Sequence, residues 1–408
     1  MPDPICRFCN TDMRESFADL GAAPPSNAFI AQAQAASPQN SYPLHAYVCS
    51  ACRLVQLEAF EPPEAIFSDY PYFSSFSDSW LRHAEDFAAA AIDGLALGPA
   101  SQVIEIASND GYLLQYFARR GIPVLGIEPA VNVAAIARSR GIPTACEFFG
   151  RTAAARLVAE GHRPDLIVAN NVLAHVPDLN DFVAGLKHLL AADGVLSIEV
   201  PHLLRLIEQQ QFDTIYHEHF SYFSLLTAGR VLAHHGLEIF DVAERPTHGG
   251  SLRISAAHAG ARPTAAAVAA LWAREMAAGL DDPEIYAAFA PRLVTARAAI
   301  RAFFATARAA GKTVAGYGAP AKGNTLLNFC AITPDDLPFT VDRSPHKQGL
   351  LLPGSRIPIR HPDAIRAHRP DYLFVLPWNL RAEITEQMAD IRDWRGRFVI
   401  PIPELEIC

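Results

Sequence analysis

Lysine is scarce in this chain of 408 residues, which has four lysines against 43 acidic residues and carries a net charge of −9. A protein that binds nucleic acid usually presents a basic face, so this balance argues against a nucleic-acid partner. The sequence also lacks any run of about 18 apolar residues, which predicts that no helix crosses a membrane. Its first residues, MPDPICRFCN, contain neither a basic nor an apolar signal segment, and we therefore expect a cytoplasmic protein.

The middle of the chain alternates short apolar runs with helical stretches, and the runs are QVIEIAS, PVLGIEP, DLIVANNV and GVLSIEVP. Such alternation predicts an α/β fold with a parallel, doubly wound sheet that has helices on both faces. Two more strand-like runs, LEIFDVAER and GGSLRISAAH, predict an antiparallel pair at the end of that sheet.

A second α/β pattern occupies the C-terminal part, where KTVAGYG, PFTVD, DYLFVLP and GRFVIPI are strand-like and AKGNTLLNF begins a helix. We interpret it as a smaller Rossmann-like domain, because domains of roughly 100–200 residues leave room for two or three in this chain. The predicted division is an N-terminal zinc-binding domain at 1–65, the central domain at 66–262, a helical connector at 263–310 and the C-terminal domain at 311–408.

Four cysteines form two CxxC pairs, which are Cys6 with Cys9 and Cys49 with Cys52. Each pair places two thiolates on one turn, and two such turns complete a tetrahedral zinc site with zinc–sulfur distances of about 2.3 Å. Because four cysteines leave no open coordination position, we expect structural rather than catalytic zinc. The alternative is that the pairs are reduced thiols without a metal. Three other cysteines show no ligand spacing, and they are Cys146, Cys330 and Cys408.

The segment VIEIASNDGYLL has the pattern of a strand, a turn of small residues and a helix, with Glu105 at the end of the strand. Open α/β sheets bind ligands at such turns, where an acidic residue can hold an ammonium group or a ribose hydroxyl. Glu128 ends the next strand about 20 residues further on and is placed to accept both hydroxyls of an adenosine ribose. The turn lacks the GxGxxG pattern, which argues against a nicotinamide cofactor.

The same turn resembles the cofactor loop of methyltransferases that use S-adenosylmethionine, in which glycines stand where this chain has Ala107 and Asn109. The resemblance implies that the central doubly wound sheet is of the class I methyltransferase type. Asn170 and Asn171 follow the DLIVA strand, where that family has its fourth motif. S-Adenosylmethionine is therefore the expected cofactor; the alternative is an α/β fold with polar caps and core aromatics that binds none. The expected cofactor-binding residues are Glu105, Ala107, Ser108, Asn109, Asp110, Gly111, Tyr112, Leu113, Glu128, Pro129, Phe148, Phe149, Asn170 and Asn171.

The segment YHEHFSYFS begins with four functional residues in a row, from Tyr216 to His219. Methylation of a carbon next to a ketone needs a base for the C–H proton and a donor for the enolate oxygen. A histidine with a pKa near neutrality suits the first task, and a tyrosine or a second histidine suits the second. His175 follows the fourth strand and would face the same cleft, unless it is a capping or core histidine.

Together these motifs resemble the nucleotide-sugar C-methyltransferases, in particular the enzymes that methylate C-3′ of thymidine-diphospho-4-keto-deoxysugars. The resemblance spans nearly the whole chain, through both CxxC pairs, YPYFSS, EIASNDG, NNVLAH, YHEHF, HGG and GYGAPAK. It implies that His219 is the base, and the other implied members of the catalytic group are Glu218, Tyr216, His175 and either Tyr70 or Tyr72. The chain departs from the family at Ala107 and at His217, where an acidic residue is frequent.

The segment GYGAPAKGN is a strand-to-helix turn with Lys322 just inside the helix. Backbone N–H groups at a helix start and a lysine together make an anion site, so we expect this domain to hold a nucleotide diphosphate. The alternatives are a purely structural helix start and, for His248, a turn residue instead of a sugar contact. The expected substrate-binding residues are His248, Gly249, Gly318, Ala319, Lys322, Asn324 and Lys347.

The sequence thus predicts an enzyme that methylates a nucleotide-diphospho-keto-sugar at the carbon next to the ketone, through an enolate formed by a histidine base. A second hypothesis is methylation of another small natural product, with the C-terminal domain as a nucleotide-binding module. A third is a non-catalytic scaffold, against which the Tyr216–His219 cluster argues. We expect a monomer or small homo-oligomer whose partner is a small-molecule substrate. The nucleotide base, the sugar and the methylated carbon stay open.

Overall fold

The computed structural model describes residues 4–68, 73–76 and 78–408. Elements before the central sheet are β1 Glu15–Ala23, β2 Ile30–Ala31, β3 Tyr42–Val48, β4 Val55–Leu57, α1 Pro63–Phe67 and α2 Asp78–Gly94. Those of the central region are β5 Val103–Ile106, α3 Leu114–Ala118, β6 Val124–Ile127, α4 Val131–Ser139, β7 Thr144–Ala145, α5 Arg151–Ala159, β8 Leu166–Asn170, α6 Leu179–Leu189, β9 Val195–Pro201, α7 Leu203–Glu208, β10 Ser221–Tyr222, α8 Leu225–His234, β11 Leu237–Arg245 and β12 Ser251–His258.

The remaining elements follow in the C-terminal part of the chain. They are α9 Ala266–Ala277, α10 Pro283–Ala287, α11 Phe289–Ala309, β13 Val314–Tyr317, α12 Ala321–Phe329, β14 Thr340–Val341, β15 Leu350–Leu351, β16 Ile359–Arg360, α13 Asp363–His368, β17 Tyr372–Val375, α14 Arg381–Gln387, β18 Arg397–Ile400 and β19 Glu406–Ile407.

The central sheet has the strand order β11-β12-β9-β8-β5-β6-β7. Strands β5 and β8 are buried along their whole length because their apolar runs face helices on both sides. The strands from β9 to β7 run parallel, whereas β12 and β11 are antiparallel. The chain leaves β5 toward one edge and later returns to β8 on the other side, and such a switch point opens a crevice at the carboxyl ends of the strands. The predicted fold class is confirmed.

The C-terminal sheet, in the order β16-β14-β13-β17-β18-β19, is parallel except for its last strand. Strand β13 therefore has neighbours that the chain reaches in opposite directions, so the turn after β13 opens a second crevice. The buried Glu275 of α9 accepts hydrogen bonds from the first amide groups of α8. These bonds fix α9 on the central region.

The N-terminal sheet has the order β1-β3-β4-β10, so its last strand comes from the middle of the chain. Strands β3 and β4 are joined by the second CxxC turn, where the Cys49 N–H donates to the Leu54 carbonyl over 3.0 Å. The Phe17 ring of β1 stacks on Phe289 of α11 with ring centroids 4.5 Å apart. Because β10 follows directly on the YHEHF segment, this sheet supports the predicted catalytic residues.

A short antiparallel pair, β2 with β15, joins the N-terminal region to the C-terminal sheet. The Arg356 guanidinium strengthens this link by donating to the carbonyls of Ala35 and Ser37. The N-terminal region is therefore held against the C-terminal part of the chain. Among the described residues, no helix is both long and apolar enough to cross a membrane.

Candidate active site

A cavity of about 480 Å³ lies at the carboxyl ends of β5, β6 and β8. Its walls also include α1, the loop before β10, the turn between β11 and β12, and the start of α12. All three regions of the chain therefore contribute to it. More than half of the predicted catalytic, cofactor-binding and substrate-binding residues line it. Those expected to bind cofactor or substrate are Ala107, Asn109, Tyr112, Glu128, Pro129, Phe148, Phe149, Asn170, Asn171, His248, Lys322 and Lys347, and those expected to be catalytic are His175, Tyr216 and His219.

The loop after β5 takes an unusual backbone conformation. The φ angles of Ala107, Asn109 and Gly111 are 57°, 49° and 79°, in the left-handed region that favours glycine. At Gly111 a side chain would also collide, since a Cβ there would lie 2.9 Å from Cγ1 of Ile142. Two of the three positions thus keep the backbone shape of a glycine-rich loop without being glycine.

Several neighbours of these residues face away from the cavity. Leu113 is fully buried in the apolar core behind α3. The Asp110 carboxylate pairs with Arg140 over 3.0 Å and accepts from the Ser75 hydroxyl. Ser108 is buried below the loop, against Gly126 of β6. These side chains stabilise the loop. At their positions, only backbone groups can contact a ligand.

Of the two predicted carboxylates, Glu128 lines the cavity, whereas Glu105 is fully buried in β5 and does not line it. Glu128 holds the loop, because its two oxygens accept from the N–H groups of Asn109 and Ala130, each over 2.9 Å. A carboxylate has about four acceptor positions, so hydroxyls can still bind there. Burial raises the pKa of Glu105 well above its usual range, and a bound ammonium group would stabilise the ionised form. Glu128 therefore fits the ribose of S-adenosylmethionine, whereas Glu105 would act on a ligand only from behind the cavity wall.

The end of β8 supplies a further polar wall. Asn171 has a φ of 53°, and its buried Oδ1 has no hydrogen-bond partner among the residues that the structure describes. Such an acceptor fits a donor on a bound molecule. The Phe148 ring is 38% exposed beside the cavity, while Phe149 packs edge-on against Phe182 with centroids 5.5 Å apart. Phe148 therefore offers a free face to an adenine ring.

His219 and Tyr216 are hydrogen-bonded to each other inside the cavity. His219 Nδ1 lies 2.9 Å from the Thr214 carbonyl, which can only accept, so Nδ1 carries the proton. His219 Nε2 then has the lone pair and accepts from the Tyr216 hydroxyl over 2.7 Å. Burial, with His175 as the next cause, lowers the pKa of His219 well below its usual range. The imidazole is therefore neutral at pH 7 and has a lone pair on Nε2, but its lowered pKa makes it a weaker base than the near-neutral histidine expected from the sequence.

His175 lies against this pair, with its ring centroid 4.7 Å from that of His219. Burial lowers the pKa of His175 to about 4. The Glu218 carboxylate is buried behind the cavity wall, where the amide of Asn27 donates to both oxygens over 2.7 and 2.9 Å. His217 points away from the cavity and lies 3.2 Å from the Pro43 carbonyl. Tyr70 and Tyr72 fall outside the described residues.

The start of α12 faces the cavity through Pro320, Ala321 and Lys322. The Lys322 ammonium donates to Asn379 over 2.8 Å and lies 4.9 Å from the Trp378 ring centroid. Burial lowers the pKa of Lys322, and an ionised Asp213 would raise it.

Lys347 makes a second cation at this wall, and it donates to the Ala319 carbonyl over 2.9 Å. Burial lowers the pKa of this lysine as well. Two lysines beside a helix start form a wall suited to an anion.

Four expected substrate contacts lie elsewhere. Ala319 is fully buried, and its N–H donates to the Asp342 carboxylate over 2.7 Å. Asn324 is buried and donates to the Ser26 carbonyl over 2.6 Å. Gly249 packs so closely that a Cβ there would lie 2.6 Å from the Trp378 ring. Gly318, with a φ of 90°, forms the turn after β13 and is in the same way packed against Pro377. These residues shape the wall without lining the cavity.

Sequence reasoning missed Asn27 and Trp80, which both line the cavity. Trp80 lies on α2, with ring centroids 5.9 Å from Tyr112 and 5.3 Å from His248. Its position on α2, shortly after the YPYFSS segment, was a usable signal. Asn27 lies in an irregular proline-rich loop that has no periodicity, and no pattern indicated it.

The four cysteines of the CxxC pairs come together as a metal site. Their sulfur atoms all lie within 4.8 Å of one another, with Cys6 and Cys52 3.6 Å apart and Cys9 and Cys49 3.4 Å apart. Tetrahedral zinc with zinc–sulfur distances of about 2.3 Å needs sulfur atoms at about this spacing. The donor set therefore fits zinc.

Comparisons with known proteins match the chain in consecutive parts. Family models match a zinc binding domain at 6–67, a methyltransferase domain at 80–242 and a C-methyltransferase C-terminal domain at 246–403. The C-methyltransferase NovU of Streptomyces niveus is 36% identical over 99% of this chain and 96% of its own length. The ubiquinone biosynthesis O-methyltransferase of Bartonella quintana (strain Toulouse) is 28% identical over 24% of this chain and 40% of its own. Among solved structures, the magnesium protoporphyrin IX methyltransferase of Synechocystis PCC 6803 shares 16% identity at a TM-score of 0.34, over 44% of this chain and 79% of that one.

Proposed function

The chain belongs to the C-methyltransferase family, and from this we propose that its acceptor is a nucleotide-diphospho-keto-sugar, methylated through an enolate at a carbon next to the ketone. The protein is an S-adenosylmethionine-dependent C-methyltransferase with a four-cysteine zinc site. The observation that carries the proposal is the neutral His219, hydrogen-bonded to Tyr216, in a cavity that also contains two lysines.

The cofactor, when bound, supplies an electrophilic methyl group. We assign its ribose to Glu128 and its ammonium group to the neighbourhood of Glu105, since both carboxylates lie at the carboxyl ends of their strands. Phe148 offers a ring face to the adenine. The sugar would then lie between this loop and the histidines.

We assign proton removal to Nε2 of His219. When a ketone oxygen enters the cavity, the Tyr216 hydroxyl can turn its hydrogen bond from Nε2 to that oxygen. This frees the lone pair of Nε2 for the carbon-bound proton and stabilises the charge that develops on the enolate oxygen. The enolate carbon would accept the methyl group of the sulfonium, whose sulfur would keep the electron pair of the broken S–CH₃ bond. The proton stays on His219 until solvent removes it.

The wall formed by Lys322, Lys347 and the start of α12 is the proposed place for the diphosphate. A lysine with a pKa lowered by burial gains from an anionic partner, since the anion stabilises its charged form. The two negative charges of the diphosphate would pair with the two lysine ammonium groups of this wall.

Hydrogen exchange tests the enolate. The enzyme is incubated in D₂O with S-adenosylhomocysteine, which cannot donate a methyl group, and a thymidine-diphospho-4-keto-deoxysugar. We expect deuterium at one carbon beside the ketone, faster than in the enzyme-free control and slowed at least about 100-fold in His219→Gln. If neither carbon beside the ketone showed enzyme-dependent exchange, the enolate mechanism would be ruled out for this acceptor.

Thermal shift tests the acceptor class independently. Thymidine diphosphate should raise the unfolding temperature, additively with S-adenosylhomocysteine, because each ligand binds its own part of the folded protein. The double variant Lys322→Met, Lys347→Met should lose the first shift and keep the second. A thymidine diphosphate shift that survives in this variant would place the nucleotide elsewhere.

A further inference from the structure

Arg7 lies between the two cysteines of the first CxxC turn. Its backbone N–H donates to Oε1 of Gln56 over 2.9 Å, and Nε2 of the same glutamine lies 3.1 Å from the Cys6 sulfur. Gln56 of β4 thus links the Arg7 backbone to the Cys6 sulfur.

The Arg7 guanidinium contacts a segment that lines the active-site cavity, since Pro177 is part of the cavity wall. Its Nη1 donates to the Pro177 carbonyl over 3.0 Å, and its Nη2 donates to the Leu57 carbonyl. Its Cζ lies 5.4 Å from the centroid of the Phe220 ring. Burial lowers the pKa of Arg7 to about 10, so the group stays charged at pH 7. A partly buried cation that binds carbonyls instead of a carboxylate is costly to keep.

These contacts join the two segments that carry the cavity histidines. Pro177 follows His175 by two residues, and Phe220 directly follows His219. The Leu57 N–H donates to the Phe220 carbonyl over 3.0 Å, which ties the Arg7 contact on β4 to the same segment.

We propose that Arg7 is a positioning residue for C-methylation, which holds the segments of His175 and His219 together and makes the distance between the two imidazoles depend on the zinc-binding turn. The inference rests on the proposed role of these histidines. It gives the metal site a part in turnover although the metal has no open coordination position.

The second CxxC turn provides a matched control. Arg53 directly follows Cys52, and its guanidinium also donates to two carbonyls, those of Asp281 at 3.0 Å and Ser50 at 2.7 Å. Asp281 lies between α9 and α10, away from the cavity. The two arginines therefore share their chemistry and their closeness to the zinc ligands, and differ in what they hold.

The test compares Arg7→Met with Arg53→Met. Both variants are checked for zinc content and for S-adenosylhomocysteine affinity, which should stay within threefold of the wild type. The histidines are labelled with ¹³C at Cε1 and titrated by NMR, with His175→Gln and His219→Gln variants for assignment. This readout needs no acceptor, so it stands even if the keto-sugar proposal fails.

We expect the pKa of His175 to rise by at least one unit from about 4 in Arg7→Met, because water enters where the two segments separate. With the keto-sugar, kcat should fall at least tenfold while KM for the cofactor stays unchanged. Arg53→Met should change neither the pKa of His175 nor kcat. Unchanged titration and turnover in Arg7→Met, or equal changes in both variants, would overturn the proposal.

Arg7→Lys covers the case in which the methionine variant loses zinc or fails to fold. Lysine keeps the charge but cannot bridge two carbonyls in a fixed fork. We expect intact zinc binding with a smaller shift of the His175 titration and an intermediate kcat. Wild-type values for both in Arg7→Lys would equally overturn the proposal.

Discussion

Lowering the pH should destabilise the protein through His175, and the size of the effect follows from its surroundings. Burial lowers the pKa of His175 to about 4 in the folded state, whereas an exposed histidine has a pKa of about 6.5. Below pH 6.5, His175 therefore binds a proton in the unfolded chain but not in the folded protein. Folding stability falls as the pH drops from 6.5 toward 4, and it is fully present above this window.

Between pH 7 and pH 5 the loss due to this residue is about 1–2 kcal/mol, with the upper value for a site fully shielded from solvent. His175→Asn removes the titrating group, so the difference in unfolding free energy between the two pH values should shrink by this amount. The measurement is urea unfolding followed by tryptophan fluorescence at pH 7 and pH 5. Comparing differences between pH values cancels the packing cost of the substitution.

The wild type, measured at the same two pH values, supplies the reference. If His175→Asn kept the full wild-type pH dependence, His175 would not be a neutral, desolvated group. The electrostatic description of the cavity would then be wrong.

Three more predictions concern single features of the site. His219→Gln should reduce turnover at least about 100-fold and leave S-adenosylhomocysteine affinity within a few fold, by kinetics and calorimetry; normal turnover would exclude His219 as the base. Ala107→Gly should raise the unfolding free energy by about 0.5–1 kcal/mol in denaturant titrations, because relief of the left-handed strain exceeds the added entropy of the unfolded chain; a lower value would contradict the φ of 57°. Metal analysis should find one zinc per chain, and Cys49→Ser should lower both zinc content and the unfolding temperature; a protein without stoichiometric zinc would refute the metal site.

The hydrophobic pattern was enough to predict the central sheet, since β5 and β8 are fully buried and their sequences are apolar except for Glu105 and Asn170. It failed at β1, where two breaks in register with β3 disturb the alternation of buried and exposed residues. It failed also at β10, which has two residues and pairs with a strand far away in the sequence.

The site was predictable where one short motif supplies the chemistry, as in the loop around Asn109 or the segment ending at His219. It was not predictable where a residue acts through distant contacts. Asn27 reaches Glu218 across 191 positions, and Arg7 reaches Pro177 across 170. Local patterns carry no information on such pairs, because only the folded chain brings them together.

The pairing of β10 with β4 has a consequence for how the protein is made. The N-terminal sheet stays incomplete until residue 222 has left the ribosome, so the first sixty or so residues wait for a partner strand while the central sheet is still being synthesised. At about 5–20 residues per second this interval lasts on the order of ten to thirty seconds. Metal capture by the two cysteine turns can order the waiting segment during that time. Cells short of zinc would then lose newly made chains to aggregation before they lose the activity of finished enzyme.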